Sequence, residues 1–158
     1  MAKHPVPGRV KTRLAAALGA DTACALYRAF VLDLAERLGG LPYAVTWAYT
    51  PPDAPFAELL PGARCRPQHG RDLGERLAAA IADELAEAPG AVLAIGADAP
   101  HVPAAALAEA AGLAVHLLPP GFDVDEVADL VRLRALLARG EVRLPRTTEV
   151  LAVLALRS

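Results

Sequence analysis

Two hydrophobic periods alternate along this chain, and that alternation narrows its fold more than any other feature. Between Asp21 and Leu38 the apolar residues Cys24, Tyr27, Val31, Leu34 and Leu38 recur at spacings of three and four, with Leu26 and Phe30 beside them. Such spacing keeps one face of a helix apolar, with Asp21 or Thr22 as N-cap and Gly39-Gly40 as the stop. Residues 43–49, YAVTWAY, then gather strand formers and end at Thr50-Pro51-Pro52. A second helix is expected over 73–88, closed by Pro89-Gly90, and AVLAIG at 91–96 has the continuous apolar run of a buried parallel strand. Beyond it, 103–111 suits a helix with Pro103 in its first turn, 113–118 a strand, 125–138 a helix and 148–156 a last helix. Strands alternating with helices predict a layered α/β domain with a mostly parallel sheet, whose ligands bind beyond the carboxyl ends of the strands.

Three loops of that scheme could carry chemistry. The opening stretch HPVPGRVKTRL holds Lys3 (just ahead of it), Arg9, Lys11 and Arg13 before the first acidic residue, Asp21, although the whole chain has 16 basic and 18 acidic side chains. Two prolines stiffen a turn, Gly8 permits close backbone approach, and LAAAL follows as a helix start. Phosphate binding needs that combination of exposed N–H groups and cationic side chains; a solvated basic terminus is the plainer alternative. In IGADAPHVP, Asp98 stands two residues past the apolar run, placed either to hold a divalent cation or to cap the next helix. In LLPPGFDVDEVADL, Asp123 and Asp125 flank Val124. If the backbone is extended, both carboxylates project to one side and could face one metal, while a cap at Asp125 is the alternative. A fourth stretch, QHGRDLGERL, offers Asp72 as cap of the helix that follows, with Arg71 or Arg76 on a ligand or paired with Glu75.

Composition excludes several classes. The length of 158 residues suits one domain, and 54% hydrophobic content fills its core chiefly with Ala, Leu and Val because aromatic residues are only 4%. A net charge of −2 gives no basic field for nucleic acid. Cys24 and Cys65 are too few for a disulfide scaffold and read as packed thiols of a reducing cytoplasm. Pro-Val-Pro-Gly interrupts any signal-peptide core, and no apolar run reaches membrane-spanning length. The four histidines have no metalloenzyme spacing.

In their order and register, AKHPVPGRVKTRL, QHGRDLGERLAAA, IGADAP and LLPPGFDVDEVADLVRLRALL resemble the DUF2064 family of bacterial proteins, the selenodomain-associated transferase 1-like glycosyltransferases. These are related to the molybdenum-cofactor and phospholactate nucleotidyltransferases. The resemblance implies a Rossmann-like nucleotide-diphospho-sugar transferase fold of GT-A type, with a mostly parallel central sheet and helices on both faces. It implies that Lys3, Gly8, Arg9, Lys11 and Arg13 form a nucleotide-phosphate loop. Gln68, Gly70, Asp72, Gly74, Glu75 and Arg76 match a second family segment, from which Asp72 and Arg76 are taken as nucleotide-binding. Asp98 is implied as the catalytic carboxylate and, with Asp123 and Asp125, as a ligand of Mg²⁺ or Mn²⁺.

Two family features have no counterpart. An apolar strand ordinarily precedes Ala2-Lys3, and a GPxxDGGYYLxG segment ordinarily separates the Asp98 motif from Asp-Val-Asp. His101 stands where a second Asp is frequent, and Glu126-Val127 replaces Thr-Pro. The single domain 1–158 is therefore expected to lack a first strand and a segment near 110–111. Residues left out of the sequence are favoured over a truncated protein, because unpaired sheet edges are costly. The expected activity is a metal-dependent transferase using a nucleotide-activated donor, with a sugar as the transferred group and an unidentified small-molecule acceptor. A nucleotidyltransferase releasing pyrophosphate and a non-catalytic nucleotide-binding domain are the alternatives; the sequence leaves the oligomeric state open.

Overall fold

A computed structural model describes residues 1–88, 90–103 and 122–154. They divide into two units, one of Met1–His4 and Leu41–Gly96, the other of Pro5–Gly40, Ala97–Val102 and residues 122–154. In the first, strands β1 (Ala2–Lys3), β2 (Thr46–Thr50) and β3 (Arg64–Pro67) form a parallel sheet in the order β1-β2-β3. Ladder register places Ala2 opposite Tyr49 and Thr46 opposite Arg64. The strand expected over 43–49 therefore starts at Thr46, because β3 offers no partner before Arg64 and a strand extends only as far as its ladder. The RCRP segment that forms β3 has too little apolar pattern to be read from sequence. Phe56, fully buried in the short helix α3 (Phe56–Leu59), stacks on Tyr49 at 5.2 Å and contacts Trp47 at 6.2 Å between ring centroids.

Helix α4 (Leu73–Glu87) has nearly the expected bounds, yet none of its residues is fully buried. Its attachment to the strands is polar: Thr46 Oγ1 donates to Glu84 at 3.0 Å, and Arg64 and Arg66 pair with Glu87. One expectation is overturned. Residues 91–96 form no strand, and Ala91, Leu93, Ala94 and Gly96 are exposed. A strand needs a neighbouring ladder, and β1 is two residues long and paired with β2. The recorded tie of this run is the N-terminal ammonium of Met1 donating to the Ile95 carbonyl at 2.8 Å. The helix expected from 103 to 111, the strand over 113–118 and the junction at 110–111 lie, apart from Pro103, outside the described residues.

The second unit is built on α1 (Thr12–Leu18) and α2 (Ala20–Gly39), with Gly19 at φ 85° making the corner between them. That corner starts α2 at Ala20, ahead of the Asp21 or Thr22 cap expected. Leu26, Phe30, Val31 and Leu34 of α2 are buried, as are Leu14, Leu130 and Leu133. Full burial of a Leu or Phe side chain contributes about 1.5–3 kcal/mol, so this apolar set is the main cohesion of the unit. Helix α5 (Val127–Ala138) begins after Glu126, whose side chain and Asp129 form a reciprocal capping box, so Asp125 is not the cap. Helix α6 (Pro145–Ala152) starts three residues earlier than its apolar pattern suggests, with Pro145 in its first turn.

The early start of α6 depends on Asp33. This carboxylate, 1% exposed, accepts the backbone N–H groups of Arg146 at 3.0 Å and Thr147 at 2.8 Å and the Thr147 hydroxyl at 2.6 Å. It thereby satisfies helix-end donors across 114 residues of sequence. Asp33→Ala is expected to lower the unfolding free energy by about 3 kcal/mol, since buried donors lose their acceptor. Glu36→Ala, which removes only an exposed partner of Arg146, should cost under about 1 kcal/mol. Urea denaturation of the two variants checks the contrast.

Candidate functional site

Within the helical unit, Pro7 and Gly8 centre a turn closed by the Arg9 N–H to the Val6 carbonyl at 3.0 Å, with Gly8 at φ 73°. A β-carbon on Gly8 would meet nothing within 4 Å, so this glycine serves the left-handed turn and not a close approach. Val10, 3% exposed, anchors the chain behind the turn. Next comes Lys11, at φ 47° and ψ 49° as N-cap of α1, a conformation uncommon for a residue with a side chain.

Its side chain is 5% exposed and directs the ammonium to two carboxylates, Asp125 Oδ1 at 2.8 Å and Asp98 Oδ2 at 3.8 Å. The same ammonium lies 5.8 Å from the Tyr27 ring centre. Arg13, 70% exposed, reaches Asp125 from the other side at 3.6 Å. Arg9 is exposed on the turn.

The Asp98 loop is held from two directions. Arg37, near the end of α2, donates to the carbonyls of Pro100 and, at 2.5 Å, Val102. Burial lowers the guanidinium's pKa from its ordinary value and the Asp33 charge opposes this. The Asp98 carbonyl accepts the Val124 N–H at 3.0 Å, which joins the loop to the Asp123-Val124-Asp125 segment. Val124 is fully buried, so the residues on either side of it project away from the core, as the Asp-x-Asp spacing suggested. Burial and then the Asp98 charge push the Asp123 carboxyl above the usual carboxylate range; Lys11 opposes this, and Asp125 and Asp129 add to it. Asp98, Asp123 and Asp125 are thus brought together with Lys11 and Arg13. Arg37 was not singled out in the sequence; its only signal was a basic residue in the last turn of a helix.

Among the described residues no three His, Cys, Asp or Glu side chains form a group that could enclose a metal ion. The arrangement is instead two carboxylates around an ammonium, a cation already standing between them. His101 joins no such group: its ring stacks on Phe122 at 4.1 Å, and Arg132 lies over the same phenyl ring at 4.0 Å. Burial, with help from Arg37 and Arg132, lowers its pKa and favours the neutral ring. The thiols of Cys24 and Cys65 are both pushed up by burial, which suits packed and unreactive groups.

The remaining candidates belong to the sheet unit. Lys3 is exposed on β1. Gln68 is a clamp for β1 and β2: its side-chain amide donates to Ala48 at 2.8 Å and to Ala2 at 3.3 Å. Asp72 caps α4 by accepting the Glu75 N–H at 2.9 Å, and Arg71 pairs with Glu75, which holds that carboxyl below its usual range. Arg76 Nε donates to the Gly70 carbonyl at 3.0 Å. Gly70 has no room for a side chain, since a β-carbon there would lie 2.7 Å from the Arg76 nitrogen.

The parallel sheet and helices are of the nucleotide-diphospho-sugar transferase fold type, as the match to one solved structure shows. One solved structure, from Desulfovibrio desulfuricans G20 and provisionally named a nucleotide-diphospho-sugar transferase, matches with a TM-score of 0.67 at 36% identity. The match covers 70% of this chain and 50% of that one, so the chain spans half the length of that structure. Residues 31–117 match the model of DUF2064, described as an uncharacterized protein conserved in bacteria, and the chain belongs to this family. No curated protein matches the sequence.

Two outcomes are expected. Gly70→Ala should destabilise the protein by about 1–3 kcal/mol through overpacking in a loop that cannot yield, measured by chemical denaturation. Asp123→Asn should raise the metal-free melting temperature at neutral pH. A carboxyl whose folded pKa exceeds its unfolded one makes stability fall as pH rises through that interval. The advantage of the variant should therefore vanish in acid, where Asp123 is protonated in both states; a lower melting temperature at neutral pH would contradict the crowding of these carboxylates.

Proposed function

We propose that this chain acts as a metal-assisted transferase that uses a nucleotide-activated donor and transfers a sugar. The observation that carries the proposal is the convergence of Lys11 and Arg13 with Asp98, Asp123 and Asp125, drawn from three separate segments into one cluster. Cations for phosphate oxygens and carboxylates for a divalent ion are the two requirements of a nucleotide-diphosphate site. The family match and the name of the Desulfovibrio relative point the same way.

The donor set suits Mg²⁺ or Mn²⁺, because Asp98 and Asp125 already share one cation, the Lys11 ammonium. A small divalent ion that takes one or two carboxylates and completes its shell with phosphates needs no three-ligand cage. When bound, the ion supplies Lewis-acid stabilisation of the charge on the departing diphosphate. Lys11 and Arg13 hold phosphate oxygens, with Arg9 as a further cation of the same loop. Asp98 and Asp125 hold the ion, and Asp123 beside them adds negative charge. Asp72 and Arg76 serve their own loop, as cap of α4 and as partner of the Gly70 carbonyl. In the transfer, the bond from the sugar to the diphosphate breaks as the acceptor hydroxyl oxygen bonds to the sugar; a nucleoside diphosphate leaves and the hydroxyl proton passes to solvent. The acceptor is a small molecule. A cytoplasmic location accords with the two free thiols, and none of the described helices is long and apolar enough to cross a membrane.

Melting curves with nucleotide sugars and Mn²⁺ test the proposal. A nucleotide sugar with Mn²⁺ should stabilise the wild type by a few degrees, and Asp98→Ala should abolish the metal-dependent part. Stabilisation that ignores Mn²⁺ and survives Asp98→Ala would refute the role of Asp98. Release of pyrophosphate in place of a nucleoside diphosphate would refute sugar transfer.

A further inference from the structure

We infer that Lys11 is the resident cation of this site. In the nucleotide-free protein its ammonium occupies Asp98 and Asp125 and keeps a divalent ion off them, and it is released to the donor phosphates when metal and nucleotide enter together. This rests on the donor-site assignment above and adds an order of events to it.

The geometry favours a lysine placed to be exchanged. Its side chain is 5% exposed, whereas those of Asp98 and Asp125 are each 38% exposed. The ammonium therefore approaches from the protein side, while solvent and ligands reach the outer oxygens of the same carboxylates. At 2.8 Å and 3.8 Å the ammonium lies near both carboxylates and offsets the negative charge that a divalent ion would need there. A divalent ion and an ammonium sharing those oxygens would lie close enough to repel strongly. In the nucleotide-free state the ion meets an already compensated pair, and its affinity is lowered. Donor phosphates change the balance, because their negative oxygens offer the ammonium a second partner at the moment the metal offers the carboxylates one.

The backbone agrees. Lys11 caps α1 in the left-handed region without a side-chain cap bond, a conformation that persists in a non-glycine residue only when its surroundings hold it. Its carbonyl accepts the Ala15 N–H at 2.8 Å and Val10 before it is buried, contacts that an exchange of ionic partners leaves in place. Arg13, 70% exposed and 3.6 Å from Asp125, is left on the solvent side to meet phosphate first. No covalent step is involved; the exchange is of ionic partners only.

The test compares wild type, Lys11→Met and Lys11→Gly, all as the full chain, in Mn²⁺ titrations followed by electron paramagnetic resonance. Lys11→Gly removes the ammonium while suiting the left-handed backbone, so it serves if the Met variant fails to fold by circular dichroism. Without nucleotide, loss of the ammonium should tighten Mn²⁺ binding roughly tenfold or more, the scale on which a charge within about 4–6 Å biases a neighbouring ionisation. Equal or weaker Mn²⁺ binding by the folded variants would overturn the inference.

A second arm measures water-proton relaxation of Mn²⁺ with ADP, CDP, GDP or UDP. Wild type should form a ternary complex with at least one of them, and the Lys11 variants should lose most of the gain in Mn²⁺ affinity that this nucleotide brings. Absence of a ternary complex with all four would refute the donor-site assignment, and the handover with it. A normal ternary complex combined with unchanged Mn²⁺ affinity in the variants would refute the role of Lys11 alone.

Discussion

A lysine ammonium taken out of water must find negative charge, and the candidate site is organised by how Lys11 meets that requirement. Its side chain lies inward, so the counter-charges come to it: Asp125 from the segment before α5 and Asp98 from the loop after residues 91–96. Burying a charge without a partner costs far more than a hydrogen bond returns, which ties the positions of the three residues together. The main-chain bond from Val124 to the Asp98 carbonyl fixes the two acidic segments to each other, so the arrangement does not rest on side chains alone.

Helix α2 carries the framework for this arrangement. One face buries Leu26, Phe30 and Leu34, while Asp33 and Arg37, four residues apart and so on one side of the helix, each reach a distant segment. Asp33 accepts the first donors of α6, and Arg37 donates to the carbonyls that follow Asp98. A single rigid element thus sets both the closure of the helical unit and the course of the loop bearing Asp98. Rigid support of this kind is what a site on loops requires if its charges are to be ready before a ligand arrives.

Much of this was legible in the chain. The bounds of α4, the cap at Asp72 and the parallel α/β class follow from local rules, namely apolar period, cap chemistry and strand–helix alternation. The association of Lys11 and Arg13 with Asp98, Asp123 and Asp125 was legible only through the order and register of whole motifs; separately, each motif also had a structural explanation. Residues 91–96 misled because an apolar run promises burial but cannot supply the neighbouring ladder that makes a strand. The strand β3 was missed for the opposite reason: Arg64 and Arg66 look like loop residues until their guanidinium groups are seen paired with the carboxylates of α4.

What the sequence determined by itself was local: where helices could run, where Asp72 could cap one, and which loops held unbalanced charge. Tertiary structure decided which charges meet. Whether Asp125 would cap a helix or pair with a lysine 114 residues away is not written in its neighbours, because both uses need the same carboxylate. The choice fell to Glu126 and Asp129, which form the cap between them and leave Asp125 to the buried ammonium of Lys11. The same distinction separates Arg37, an ordinary helix-end cation in the sequence, from the clamp on the Asp98 loop that its position in the fold makes it.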